Sequence, residues 1–174
     1  MKKMYLSLVG IFIVLGLTGC AQKEHIINYA PSSLKTVKGS MNVGNFNYLP
    51  AEKNIVKANQ IKNTAMGSIY FEKNINTYIE NAIFAESRFV GINIDENSNK
   101  TIHGDINEFI IDDLGYNIDW TLDITYKIDN CYNKSQQIKK RTPKFSNVFG
   151  SLNEVIKLNI EKIFEDPKFK ECIR

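Results

Sequence analysis

Between Asn117 and Asn130 the chain alternates apolar and polar side chains almost without a break. Ile118, Trp120, Leu122, Ile124, Tyr126 and Ile128 fall on one set of positions, with Asp119, Thr121, Asp123, Thr125, Lys127 and Asp129 between them. Successive side chains of an extended strand point to opposite faces, so the stretch predicts a strand with one covered face and one wet face. Ahead of it, TIHGDINEFIIDDL predicts a long strand and FVGINID a short one, separated by the polar ENSNK. Asp112, Asp113, Leu114 and Gly115 supply the turn before the alternating strand, and Asp129 with Asn130 the turn after, which makes a meander. Its last segment, CYNKSQQIKKRTPKF, holds Ile138 among many polar residues and Pro143 toward its end. It reads as an edge strand whose lysines discourage sheet-to-sheet aggregation.

In two places the period lengthens to that of a helix. From about Asn74 to Arg88, Ile75, Tyr78, Ile79, Ala82 and Ile83 line one face, with Glu80 and Glu86 mainly outside it. A second helix is expected from Ser151, where Ser151 and Glu154 have capping-box spacing. Leu152, Val155, Ile156, Ile160, Ile163 and Phe164 trace its apolar face, interrupted by the polar Asn159, and Pro167 ends it.

The earlier part of the chain is less periodic. A strand is expected over 35–44, weakened by Gly39 and Gly44 unless these accommodate a bulge or close packing. Between Pro50 and Phe71 the expectation is a short strand at Ile55 or Ile69 and an exposed loop over Asn59–Thr64. Two helices laid on one side of such strands satisfy both apolar patterns with a single core. The fold class expected is α+β: a two-layer sandwich of two amphipathic helices on a mainly antiparallel sheet, one domain over 35–174.

The first residues follow another logic. Lys2 and Lys3 precede an uncharged, apolar run from Tyr5 to Gly19, shorter than the roughly 20 residues a membrane-spanning helix needs, which is the layout of a signal peptide. The run ends in Leu17, Thr18, Gly19 and Cys20. That ending resembles the lipobox of bacterial lipoproteins. The resemblance implies diacylglycerol on the Cys20 thiol, cleavage after Gly19 and further acylation, for instance by palmitate, of the new amino terminus. Residues 1–19 would be removed and residues 20–34 would form a lipidated tether. Two or more acyl chains make a durable anchor where one does not. Ala21 lacks the aspartate that often retains such proteins at the inner membrane, so the expected place is the outer membrane, facing the periplasm. Inner-membrane and surface-exposed attachment are the alternatives.

Processing changes the charge picture. The whole chain carries +3, and losing Lys2 and Lys3 leaves +1, too little to argue for nucleic-acid binding. Once Cys20 is lipidated, Cys131 and Cys172 remain. An exported environment favours their pairing as a disulfide, against two free thiols or, with no CxxC spacing, metal or redox chemistry. Lys134, Lys139, Lys140, Arg141 and Lys144 make the clearest basic cluster, a candidate electrostatic contact, although strand alternation divides consecutive residues between faces. Asp105, Glu108, Asp112 and Asp113 read as solvated strand and turn acids, and the distant His25 and His103 have no metal-ligand spacing. Trp120 and Tyr126 sit in the strongest apolar alternation and are expected in the core. No catalytic residues, cofactor or metal are assigned.

The helix NINTYIENAIFAE, the strands DINEFIIDDL and NIDWTLDITYKI and the final helix SLNEVIKLNIEKIF, behind an export signal, are similar in layout to the YajG-like family of small outer-membrane lipoproteins. That resemblance implies a periplasm-facing accessory domain with no enzymatic reaction to transfer. The expected function is a noncatalytic envelope lipoprotein that binds another envelope protein or itself. A lipid- or glycan-binding module is the alternative, and an enzyme comes after both.

Overall fold

The computed structural model describes residues 24–64, 69–113, 115–144 and 147–174. Cys20, the lipobox and the apolar run before it lie outside the described residues, as does Leu114 of the hairpin turn. Among the described residues no helix is long and apolar enough to cross a membrane.

The expected meander is the centre of the molecule. Strands β6 (Thr101–Asp113), β7 (Asn117–Ile128) and β8 (Tyr132–Pro143) pair antiparallel in that order, and among the described residues β8 has β7 as its only strand neighbour, the edge position expected of it. Along the far side of β6 two strands lie end to end, both parallel to it. Strand β2 (Ser40–Tyr48) pairs with its first half and β3 (Gln60–Asn63) with Ile110 and Ile111. The short β4 (Ile69–Phe71) continues outward from β3, then β1 (Glu24–His25) from β4, while β5 (Asn93–Ile94) flanks β2. The sheet is therefore mixed, with its three long strands antiparallel.

Helix α2 (Ile75–Val90) follows the short α1 (Leu49–Glu52), and α3 (Val148–Glu165) leads into α4 (Pro167–Cys172). Every apolar residue expected on the α2 face is buried, as are Leu152, Val155, Ile156, Ile160, Ile163 and Phe164 of α3. They close over the inward positions of β7, including Trp120 and Tyr126, in one core. The architecture is the two-layer α+β sandwich expected.

Several local expectations are corrected. Helix α3 starts one turn before Ser151, because the Asn147 side chain accepts hydrogen bonds from the Phe149 and Gly150 amides and so caps the free end. Ser151 is buried inside the helix. Pro167 stops α3 but also opens α4, whose first turn is capped by Asp166 accepting from the Lys168 amide. The loop expected over 59–64 contains β3, and Ile55 is exposed outside any strand. The strand expected over 35–44 begins at Ser40. Its glycines have the uses anticipated: Gly44 lies in a register shift against β6, and a side chain at Gly39 would collide with Ile173. The bulge frees the Phe46 amide, which donates to Glu80 Oε1 on α2 at 2.8 Å.

Glu86, expected beside the apolar face, is fully buried in it. Its carboxylate accepts from the Tyr29 hydroxyl at 2.6 Å and from the Ser32 and Ser33 amides at 3.0 and 3.2 Å. Ser33 Oγ donates to Glu161 on α3 at 2.6 Å, and Lys35 pairs with Glu165 at 2.6 Å. Residues 24–35, most of which were expected to form the tether, are thus clasped to both helices, with β1 added to the sheet.

Candidate functional site

With both helices on one face of the sheet, the outward positions of β6, β7 and β8 form the opposite face. Register fixes its layout. Asp119 stands opposite Asp112 on one side and Arg141 on the other; Thr121 stands between Ile110 and Lys139. Two carboxylates directly across from each other repel, and each is compensated by a neighbour. The Arg141 guanidinium donates to both oxygens of Asp119, at 2.7 and 2.6 Å, a planar fork matched to a planar carboxylate. Thr64, at the end of β3, donates to Asp112. Thr64, Asp112, Asp119, Thr121, Lys139 and Arg141 line an open depression of about 490 Å³.

Further along the face a second network begins at Asn107, the extra residue of a register shift in β6. Its amide nitrogen donates to Thr125 Oγ1 at 2.8 Å and Asp123 Oδ1 at 3.2 Å, and Ser135 donates to the same Asp123 oxygen at 2.8 Å. Lys127 pairs with Asp105 at 2.6 Å, and Asn47 donates to that carboxylate at 2.9 Å. The face is a grid of hydroxyl, amide and charged groups that largely satisfy one another, suited to contacting a polar partner rather than an apolar one.

The basic residues expected as an electrostatic contact do not gather into one patch. Lys134 and Lys140 share the helix side of β8 and pair with Asp166 and Glu154, whereas Arg141 lies on the open face with Asp119. Lys144 reaches Asp113 at 2.8 Å. Lys139 is exposed on the open face. The acids are likewise distributed: Asp105 and Asp112 face outward within the two networks, and Asp113 belongs to the hairpin end. His25 packs its ring against Phe149 at 5.3 Å, and His103 hydrogen bonds through Nδ1 to the Thr101 carbonyl at 3.2 Å. Trp120 and Tyr126 are buried, so neither offers a stacking platform; the Trp120 indole donates to Thr142 Oγ1 at 2.9 Å. Cys131 and Cys172 form a disulfide with their Cα atoms 5.8 Å apart.

Cationic neighbours hold several carboxyls below the ordinary carboxylate range. The Lys127 ammonium and then the Asn47 amide do so for Asp105, Arg141 for Asp119, and Lys134 for Asp166. A carboxyl lowered by folding stabilises the native state above its unfolded pKa, about 3.9 for aspartate, and that contribution is lost as pH falls through the folded value. Urea midpoints are therefore expected to hold steady from neutral pH to about 5 and to fall progressively below about 4. Asp105→Asn should flatten part of that decline. An unchanged acid limb in Asp105→Asn would remove Asp105 from the account.

Among the polar residues whose contacts the sequence does not announce are Asn107, Glu86 and Asn159. Asn159 breaks an apolar face, and Glu86 stands four residues after Ala82, in line with it.

No family model matches the chain, and no curated protein sequence does. Solved structures similar to it include a protein of family DUF330 from Xanthomonas campestris, with 11% identity over 82% of this chain and 90% of that one and a TM-score of 0.52. Another is an uncharacterized protein with 8% identity over 80% of this chain and 95% of that one, at a TM-score of 0.42. At 11% identity the likeness to the Xanthomonas protein is one of fold.

Proposed function

We propose that the chain is a noncatalytic lipoprotein of the bacterial envelope, held by acyl chains on Cys20, whose domain binds another envelope protein or a second copy of itself. The observation that carries this reading is the sequence Leu17-Thr18-Gly19-Cys20 at the end of an apolar run too short to span a bilayer. The open sheet face and the outer edge of β8 supply the contact surface, and anchoring raises the local concentration of a modest interaction. The outer membrane, facing the periplasm, is the proposed location.

Cys20→Ser is expected to abolish fatty-acid labelling and to leave an unprocessed precursor. Labelling that persists in the variant would refute the anchor. Crosslinking in intact cells is expected to recover one reproducible envelope protein, or the chain itself. The polar depression beside Thr121 favours a glycan-binding module as the second reading, and recovery mainly of glycan would select it.

A further inference from the structure

We infer that the hairpin end of the domain, carrying Tyr116 and Phe149, rests on the phospholipid surface in which Cys20 is anchored. The inference deepens the lipoprotein reading and depends on it.

Strand directions place the exit of the chain. β3 runs parallel to β6, β4 antiparallel to β3 and β1 parallel to β4. The start of β1 therefore points to the same end of the sheet as the β6–β7 turn. Glu24 pairs with Tyr70 about level with Glu108, some five residues short of the end of β6 by register, and His25 packs on Phe149 in the first turn of α3. From Cys20 to Glu24 there are four Cα steps, and a fully extended chain covers about 14 Å in that length. That reach about matches the remaining length of β6 and falls short of the opposite end, so an acylated Cys20 keeps the domain at the bilayer with this end, and not the far one, within its reach.

What the end presents fits that surface. Tyr116, in the β6–β7 turn, is 82% exposed, and Phe149 is 39% exposed. The Lys144 amide donates to the Tyr116 carbonyl, tying the turn to the segment that leads into α3. Behind Phe149 the apolar lining continues inward through Phe71, Ile111 and Trp120. An aromatic ring with a polar tip is favoured where one side is apolar and the other wet, as at a membrane interface. Two cations nearby are engaged, Lys144 with Asp113 and Arg141 with Asp119, and the contact is assigned to aromatic seating, which does not require anionic lipid. Phe84 and Phe89, also exposed, belong to the later part of α2, which leads to the opposite end.

The test uses the processed, full-length mature protein purified in detergent and reconstituted into phosphatidylethanolamine–phosphatidylglycerol vesicles, with and without brominated acyl chains. Tyr116→Trp adds an indole at the hairpin end on an exposed site that tolerates it. Asn130→Trp adds one in the β7–β8 turn, beyond a strand of 12 residues and so about 40 Å away. The native Trp120 gives the common background. A side chain seated in the interface lies about 5–10 Å into the headgroup and acyl boundary, within reach of bromine. The indole of Tyr116→Trp should therefore lose emission in brominated vesicles while that of Asn130→Trp keeps it, with or without phosphatidylglycerol. Equal quenching at both sites, or none at Tyr116→Trp, overturns the orientation. Shielding that depends on protein density and not on bromine indicates contact between copies and also overturns it. The mass of the amino-terminal peptide separates the two claims: an acylated Cys20 with no quenching defeats the orientation alone, and an unacylated Cys20 defeats the anchor as well.

Discussion

Asn159→Leu is expected to lower the free energy of unfolding by about 2–4 kcal/mol, although leucine suits the apolar face on which residue 159 lies. In the native protein Tyr126 donates its hydroxyl to Asn159 Oδ1 at 2.7 Å, and the Asn159 amide donates to the carbonyls of Leu122 at 3.2 Å and Gln136 at 2.8 Å. One side chain from α3 thus serves two strands and a phenol. Tyr126 is wholly enclosed, and burial pushes its hydroxyl well above the ordinary tyrosine range. Leucine would leave that hydroxyl with no partner and no water, and a buried polar group without a partner costs about 1–3 kcal/mol. Removing both members of the pair is gentler than removing one, so Tyr126→Phe added to Asn159→Leu should recover part of the loss. Urea unfolding of the two single variants and the double variant gives the coupling. Strict additivity would show that the Tyr126–Asn159 bond contributes nothing in solution.

Opening the disulfide should cost as much. Cys131 follows β7 and Cys172 ends α4, at a sequence separation of 41. Closing a loop of that length restricts the unfolded chain by about 4 kcal/mol in the chain-entropy treatment. The Cys131→Ser/Cys172→Ser double variant is expected to unfold at lower urea by about 2–4 kcal/mol, and the native protein under reductant should follow the same curve. A native-like midpoint in the variant would contradict the role given to the bond. The loss has a structural address. The carbonyl of Ile173 accepts from the Ser40 amide at 2.8 Å, its side chain is buried against Gly39, and Phe169 of α4 packs edge-on against Tyr132 at 5.5 Å. Releasing Cys172 loosens the start of β2 and the start of β8 together.

Long periodic segments were legible in the sequence because one face of each is buried along its whole length. That holds for α2, α3, β6 and β7, and a β8 poor in apolar residues could still be read as an edge. Strand β3 was not legible: Gln-Ile-Lys-Asn has a single buried residue, Ile61, and owes its extended form to pairing with β4 and β6. The start of α3 differs from the capping box expected at Ser151 because the Asn147 side chain takes the free amides of Phe149 and Gly150 one turn earlier. The open face was foreseen as wet, yet its grid was not. Asn107 reaches Asp123 and Ser135 only because a register shift in β6 places it there. Nor does any local pattern tie Ser33 to Glu86 and Glu161, which lie 53 and 128 residues away along the chain.

That clasp has a mechanical consequence. Strand β1 lies parallel to β4 with its start directed toward the hairpin end, so consider a tension applied at Glu24 along the strand axis. The short ladder is then loaded in shear, its bonds bearing together, instead of being peeled apart one at a time. Whatever passes β1 is shared between α2, through Glu86, and α3, through Glu161. On the anchoring proposed above, a pull that enters at this edge strand would therefore be carried on into the helical layer and not borne by the edge alone.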